Sequence, residues 1–124
     1  IIAILDPSQY ADLFAISTSM GMDVLVEVFD EPELDIAMEI EPPIIGVNNR
    51  NLKTLKTSLS VFEQLAKKIP SDRIKVAESG MKNSTDVRRM GRAGAKAVLV
   101  GESLMKAGGN VSNLAREMAE IQVS

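Results

Sequence analysis

The chain has 124 residues, of which 45% are apolar and 25% charged, with a net charge of −3 and neither cysteine nor histidine. The lack of both residue types excludes disulfides, thiolate nucleophiles and the usual zinc sites, and it leaves carboxylates, lysines and Tyr10 for acid–base chemistry. The mildly acidic balance argues against nucleic acid, and no apolar run reaches the ~18–20 residues that cross a bilayer. Since no charged leader is recognisable, we expect a cytoplasmic protein that binds neither nucleic acid nor membrane and holds no metal.

Five short apolar runs, rich in β-branched residues, predict five strands. Each run is continuous rather than alternating, which is typical of strands that are buried on both faces. The runs are Ile1–Leu5, Val24–Val28, Ile44–Val47, Ile74–Ala77 and Ala97–Val100.

Amphipathic stretches follow each run and predict helices. Asp6 with Gln9, and Asp30 with Glu33, match the spacing of a capping box, in which the two side chains close the first helical turn reciprocally. The later stretches begin near Ser60, at Asn83 or Ser84, and after Asn110, and the first of these places Phe62, Leu65, Ala66 and Ile69 on one face before Pro70.

This alternation of strands and helices predicts an α/β fold with a parallel sheet. Two architectures fit: a five-stranded doubly wound sheet of the flavodoxin type, and part of an eight-fold (β/α) barrel. The length favours the first, whereas the first residue, Ile1 rather than Met, hints at a fragment. No linker divides the chain, so residues 1–124 are expected to form a single domain.

Polar or glycine residues stand at the carboxyl ends of four consecutive strands, where parallel sheets bind their ligands. Glu27 has apolar neighbours on both sides, and a buried charge is costly unless it is paired or functional. It is therefore either a general acid–base candidate or one half of a buried ion pair. Glu78 ends its run in the same way, and the two carboxylates would suit acid–base catalysis, although such pairs also arise by chance.

Two glycine-containing turns could present backbone N–H groups to an anion. They are Ser79-Gly80 and Gly101-Glu102-Ser103, and the alternative is that their glycines serve only tight turns. The segment Ser103–Lys106 has the length of the short extra helix that holds phosphate in many barrels.

The exit of the third predicted strand, Asn48-Asn49-Arg50-Asn51, combines three amides with a guanidinium. Arg50 could fork onto a carboxylate or a phosphate. Asparagine is also a common turn former, so a purely structural loop remains the alternative.

Four blocks of the sequence resemble indole-3-glycerol phosphate synthases along essentially the whole chain. They are Leu25–Val28, Ile45–Thr54, Val76–Gly80 and Val98–Met105, and the motifs IGVNNRNL and ESG…VLVGESLM are specific to this family among phosphate-binding barrels. The resemblance implies an eight-fold (β/α) barrel of tryptophan biosynthesis. The implied activity is that of a carboxy-lyase, which uses no cofactor to cyclise 1-(2-carboxyphenylamino)-1-deoxyribulose 5-phosphate to indole-3-glycerol phosphate, with loss of carbon dioxide and water.

The resemblance also implies roles for individual residues. Glu27 matches the general base of the family, and Asn48, in preference to Asn49, matches its substrate-contacting asparagine. Glu78 and Ser79 match the pair that positions the amine and hydroxyl groups of the substrate. The small phosphorylated substrate would be held through Arg50, Gly80, Gly101 and Glu102.

The chain departs from the family pattern mainly by what it lacks. Phe29 replaces a histidine of many relatives that has no assigned catalytic role. The five predicted strands correspond to the fourth to eighth of the barrel, so the general-acid lysine of the third strand has no counterpart. The missing N-terminal half of the barrel is thus the implied partner, the chain alone is expected to be inactive, and Ile1–Leu5 and Ala97–Val100 are expected to be uncovered edges.

Two further functions remain as alternatives. Another phosphate-binding barrel isomerase would use aspartate or cysteine at the strand ends, where this chain has glutamates. A complete flavodoxin-like binding or receiver module would need clustered aspartates or stacking aromatics, but Asp6 and Asp30 match helix caps and only 3% of residues are aromatic.

Overall fold

A parallel four-stranded sheet organises the fold in the computed structural model, which describes residues 1–122. The strands are β1 (Val26–Val28), β2 (Ile44–Asn48), β3 (Ile74–Glu78) and β4 (Ala97–Leu99), and each pairs with the next one along the chain. The α/β fold with a parallel sheet is therefore confirmed.

Helices follow the strands as the sequence predicts. They are α1 (Pro7–Ser19), α2 (Glu31–Met38), α3 (Ser60–Leu65), α4 (Ser84–Arg92), α5 (Glu102–Lys106) and α6 (Val111–Ala119). The short helix α5 covers the predicted segment Ser103–Lys106. Helix α3 ends before Pro70, yet its whole predicted apolar face is buried, because the turns after Leu65 keep Ala66 and Ile69 on the core. No helix in this described part of the chain has the length and apolar character of a membrane span.

The strand order decides between the two predicted architectures. A doubly wound sheet of the flavodoxin type reverses direction at a switch point, so that strands consecutive in sequence are not all neighbours. Here the order is β1-β2-β3-β4 without a reversal, as in a (β/α) barrel. The flavodoxin-like alternative is wrong.

The prediction of a first strand at Ile1–Leu5 is also wrong. Residues Ile2–Ile4 form a 3₁₀ turn, closed by hydrogen bonds from the N–H groups of Ile4 and Leu5 to the carbonyls of Ile1 and Ile2. Only Ile2 is buried, so one side chain covers the neighbouring core while the backbone is satisfied locally. Accordingly one edge of the sheet is β1 rather than Ile1–Leu5, whereas the other is β4, as predicted for Ala97–Val100.

The two predicted capping boxes differ. At α1, Asp6 accepts from the Gln9 N–H at 2.9 Å and Gln9 accepts from the Asp6 N–H at 3.1 Å, which is a full box. At α2, Asp30 accepts from the Glu33 N–H at 3.0 Å, but the Glu33 carboxylate accepts from the N–H of Phe29 instead of returning to Asp30. The second box is therefore only half formed.

The two faces of the sheet are unlike. One face packs against helices, and it carries the buried residues Val26, Val28, Ile45, Val47 and Ala77. We call the opposite face the site face. There Leu25 is 41% exposed and Leu99 is 55% exposed, so the described residues cover the apolar side chains near both edges only in part.

Tyr10 joins α1 to α2 and provides a first test of the packing. Its buried hydroxyl donates to the carbonyl of Ala37 at 2.9 Å. We expect Tyr10→Phe to lower the free energy of unfolding by about 1–2 kcal/mol, because the carbonyl is left unsatisfied. Urea denaturation of both chains measures the change. The control is Ser19→Ala, which removes an exposed hydroxyl that donates to the Ile16 carbonyl within α1. An equal effect of the two substitutions would show that the buried Tyr10 bond stabilises the fold no more than an exposed one.

Candidate active site

Three polar side chains converge on the site face. Strand register aligns Glu27 with Gly46, and Asn48 with Glu78. Because side chains alternate along a strand and paired residues of parallel strands share a face, all four residues point to the same side. The predicted residues Glu27, Asn48 and Glu78 are thus brought together at the carboxyl ends of three adjacent strands.

The amide of Asn48 is fixed in orientation. Its Oδ1 accepts from the backbone N–H of Arg50 at 2.9 Å, and its Nδ2 donates to Oε2 of Glu27 at 3.3 Å. The acceptor bond settles which end of the amide faces Glu27. Asn48 therefore holds the Glu27 carboxylate in place, and the buried ion pair that the sequence left open for Glu27 is replaced by this amide contact.

Glu78 is a buried carboxyl group without a complete set of partners. The residue is only 3% exposed, and its Oε1 atom has no hydrogen-bond partner among the described residues. Burial raises the pKa of Glu78 to about 8, and the adjacent Glu27 carboxyl adds to the shift. At neutral pH a protonated Glu78 therefore lies beside Glu27, an arrangement that places a proton donor next to a proton acceptor.

Gly46 makes room for this carboxyl group. A Cβ at this position would lie 1.8 Å from Oε1 of Glu78 and 3.1 Å from Cδ1 of Leu25. The Glu78 side chain therefore lies directly over the Gly46 backbone, on the way from β3 towards Glu27 on β1.

We expect Gly46→Ala to force the Glu78 carboxyl out of its buried position. The pKa of Glu78 should then fall towards its ordinary value, since solvent favours the ionised form. NMR titration of the side-chain carboxyl carbon measures this. Gly109→Ala is the control, because a Cβ there meets nothing within 4 Å. An unchanged Glu78 titration in Gly46→Ala would contradict the placement of the carboxyl over Gly46.

A second group of predicted residues lines a large open cleft of about 1320 Å³. Its walls come from the turns after β3 and β4, from the loop after β2 and from α5. Ser79 and all four predicted phosphate-binding residues line it: Arg50, Gly80, Gly101 and Glu102. Glu27 and Asn48 lie outside it, in a separate small cavity of about 80 Å³.

Ser79 and Gly80 form a tight turn with two positive φ angles. The φ of Ser79 is 64° and that of Gly80 is 83°. A Cβ on Gly80 would also lie 2.6 Å from Cγ2 of Thr57, so glycine is required there by both conformation and space. Gly101 differs, since its φ is −123° and a Cβ would meet nothing within 4 Å.

Glu102 is the centre of a group of charged side chains at the cleft. It forms ion pairs with Arg50, from the loop after β2, and with Lys106 at 2.6 Å. The hydrogen bonds from Lys106 and Arg50 lower the pKa of Glu102 to about 2, so it is ionised at physiological pH. The Glu102 carboxylate thus holds the guanidinium of Arg50 at the cleft. A guanidinium can bind a phosphate in the same forked geometry as a carboxylate.

Sequence reasoning missed two cations at this cleft, Lys82 and Lys106. The spacing of Lys106, four residues after Glu102 on α5, is a signal that could have identified it. Lys82 follows the Ser79-Gly80 turn by two residues, but its place on the wall depends on how that turn bends.

Residues 1–118 match the sequence model of the family described as "Indole-3-glycerol phosphate synthase". The chain belongs to the indole-3-glycerol phosphate synthase family. A relative of that name from Albidiferax ferrireducens is 52% identical over 107 residues, which are 86% of this chain and 40% of the relative. Another, from Azospirillum brasilense, is 46% identical over 106 residues with the same coverage.

The chain therefore spans about 40% of the length of these curated relatives. Its four-stranded sheet is part of the (β/α) barrel of the synthase family. Solved structures agree on the fold: the BexX/CysO complex of Amycolatopsis orientalis matches with a TM-score of 0.66, covering 91% of this chain and 46% of that one at 19% identity. Mandelate oxidase with benzoyl-formic acid matches at 0.64, covering 88% of this chain and 33% of that one at 18% identity.

Proposed function

We propose that the full-length protein containing this chain is an indole-3-glycerol phosphate synthase. It cyclises 1-(2-carboxyphenylamino)-1-deoxyribulose 5-phosphate to indole-3-glycerol phosphate, with loss of carbon dioxide and water. The observation that carries the proposal is the group formed by Glu27, Asn48 and Glu78 on the site face of a chain that belongs to this family. These residues are contributed by three consecutive strands.

In this proposal Glu27 accepts the proton that leaves as the indole ring becomes aromatic. Asn48 fixes the Glu27 carboxylate through the 3.3 Å contact and presents its amide to the substrate. Glu78 and Ser79 position the amine and hydroxyl groups of the substrate. The Oε1 atom of Glu78 has no hydrogen-bond partner among the described residues, so this carboxyl group keeps one unused acceptor within the site.

The large cleft holds the phosphate. Arg50 forks onto it, and the backbone of Gly80 and Gly101 approaches it closely. Without substrate the Glu102 carboxylate forms an ion pair with Arg50. The phosphate displaces that carboxylate from Arg50, and Glu102 then binds the phosphate through its backbone N–H group. Lys82 and Lys106 add the positive charge that balances the bound dianion.

The chemistry assigned to these residues uses side chains and backbone alone. Within residues 1–122 no group of three or more acidic, cysteine or histidine residues is placed to hold a metal ion. Residues 1–124 constitute one domain, the C-terminal half of the barrel, and the N-terminal half supplies the general-acid lysine and covers the exposed side of Leu25.

The activity is tested in the full-length protein with the proposed substrate, by following indole absorbance and carbon dioxide release. Formation of both products in equal amounts supports the proposal. Arg50→Ala should raise KM by disabling the phosphate site, whereas Arg88→Ala, an exposed residue on α4, should not. Isomerisation of a sugar phosphate without carbon dioxide release would instead favour the other barrel enzymes.

A polypeptide restricted to residues 1–124 should be inactive. It carries the proposed base and phosphate site but lacks the general-acid lysine that the family uses. We expect no turnover above the buffer rate under conditions in which circular dichroism shows a folded chain, and restored turnover when the N-terminal half is added. Turnover by this polypeptide alone would contradict the division of catalytic groups.

A further inference from the structure

Asn49 is a fully buried polar residue that the proposed chemistry does not use. It is 0% exposed and directly follows Asn48, but it points to the helix side of the sheet. Its surroundings there include the start of α3 and Met90 of α4. A buried amide is costly unless its groups are hydrogen-bonded, so its partners indicate what it does.

Every polar group of Asn49 has a partner. Its backbone N–H donates to the carbonyl of Glu78 at 2.8 Å, and its own carbonyl accepts from the N–H of Ser58 at 2.9 Å. Its Oδ1 accepts from the N–H of Phe62 at 3.0 Å, and its Nδ2 donates to the carbonyl of Ser79 at 3.1 Å. One residue thus connects the end of β2, the turn after β3 and the beginning of α3.

The Ser79–Gly80 turn, to which Asn49 is hydrogen-bonded, has a strained backbone conformation that surrounding contacts must stabilise. Ser79 has a φ of 64°, in the left-handed region that non-glycine residues rarely adopt. The next residue, Gly80, packs closely against Thr57 and Leu59, which belong to the segment that Asn49 also anchors. The amide therefore fixes both sides of one wall of the cleft relative to each other.

We propose that Asn49 is a positioning residue that sets the Ser79–Gly80 turn in the geometry required at the cleft. Asn49 acts through the backbone of Ser79 and touches no substrate atom. The expected effect of Asn49 on kcat rests on the proposed synthase function, whereas its effect on the conformation of the Ser79–Gly80 turn is independent of that function.

Asn49→Ala and Val47→Ala in the full-length protein separate positioning from stability. Val47 is also 0% exposed, lies two residues earlier on β2 and faces the same side, but it has no side-chain hydrogen bond to lose. We expect kcat of Asn49→Ala to fall about 100-fold, the scale that a 1 Å misplacement of a catalytic group produces. Inorganic phosphate should also inhibit Asn49→Ala more weakly than the unmodified protein. Val47→Ala should keep both its kcat per folded molecule and its inhibition by phosphate.

The amide resonances of Ser79 and Gly80 provide a readout that does not depend on turnover. They should shift in Asn49→Ala and stay in place in Val47→Ala. If both variants lose kcat equally, or if the resonances shift without a loss of kcat, Asn49 is not a positioning residue. If neither the unmodified protein nor Val47→Ala turns over the substrate, the proposed function fails, and the resonances still test the hold on the turn.

Asn49→Asp covers the case in which the alanine variant does not fold. A neutral aspartic acid has one O–H donor and one acceptor, so it replaces both side-chain bonds, whereas the ionised form cannot donate to Ser79. The kcat of this variant relative to the unmodified protein should therefore recover as the pH is lowered. A ratio that does not change with pH would overturn the proposal.

Discussion

Glu27→Gln should reduce kcat of the full-length protein about 1000-fold, within the range by which positioned general bases accelerate reactions. Glutamine keeps the shape of the side chain, and its amide oxygen can still accept from Nδ2 of Asn48. What it loses is the ability to take a proton. KM should change little, because Glu27 lies outside the cleft that we propose holds the phosphate.

Glu33 supplies a matched control for Glu27. It lines the same small cavity, and its carboxylate accepts from the N–H of Phe29, a bond that glutamine can also make. Glu33→Gln removes one negative charge near the site without removing the proposed base. Steady-state kinetics of the two variants should differ by nearly the whole 1000-fold effect. Equal losses would show that the local field, rather than proton transfer by Glu27, explains the result.

The placement of Glu27 and Glu78 was predictable because one rule covers both. Parallel strands end at one edge of the sheet, so polar residues at the ends of buried runs must meet there. Which of Asn48 and Asn49 faces the site was harder to derive, since side-chain direction depends on strand register and on where the strand ends. The register that pairs Asn48 with Glu78 is a contact between distant parts of the chain.

The features that the sequence did not predict correctly also depend on contacts between distant parts of the chain. Ile1–Leu5 has the composition of a strand, but a short apolar run does not distinguish a strand from a helical turn, and tertiary contacts of Ile2 decide the outcome. The space over Gly46 is equally invisible in the sequence, because a glycine within a strand becomes meaningful only when the side chain that crosses it is known.

Stability should fall as the pH rises from 5 to 8, and Glu78 is the reason. The unfolded chain releases this proton near the ordinary pKa of 4.5, whereas the folded chain keeps it up to about pH 8. Between these values the folded state binds more protons than the unfolded state, so the free energy of unfolding decreases with pH. One proton held over that interval is worth on the order of 4 kcal/mol, at about 1.4 kcal/mol for each pH unit.

Glu78→Gln should abolish most of this pH dependence. Glutamine resembles the protonated acid, so the variant should match the unmodified chain near pH 5 and exceed its stability above pH 8. The measurement is urea denaturation of the 124-residue chain at a series of pH values. Tyr10 does not contribute in this interval, because burial raises its pKa to about 12. The positively charged N-terminus lowers the pKa of Glu78 and so limits the size of the effect.

Glu63→Gln is the control for this experiment. The hydrogen bond from Arg89 lowers the pKa of Glu63, so its contribution has the opposite sign and is lost only as the pH falls below the ordinary carboxyl range. Removing it should leave the slope between pH 5 and 8 unchanged. If the slope is absent from the unmodified chain, or persists in Glu78→Gln, then Glu78 is not protonated beside Glu27, and the donor–acceptor arrangement at the centre of the site is incorrect.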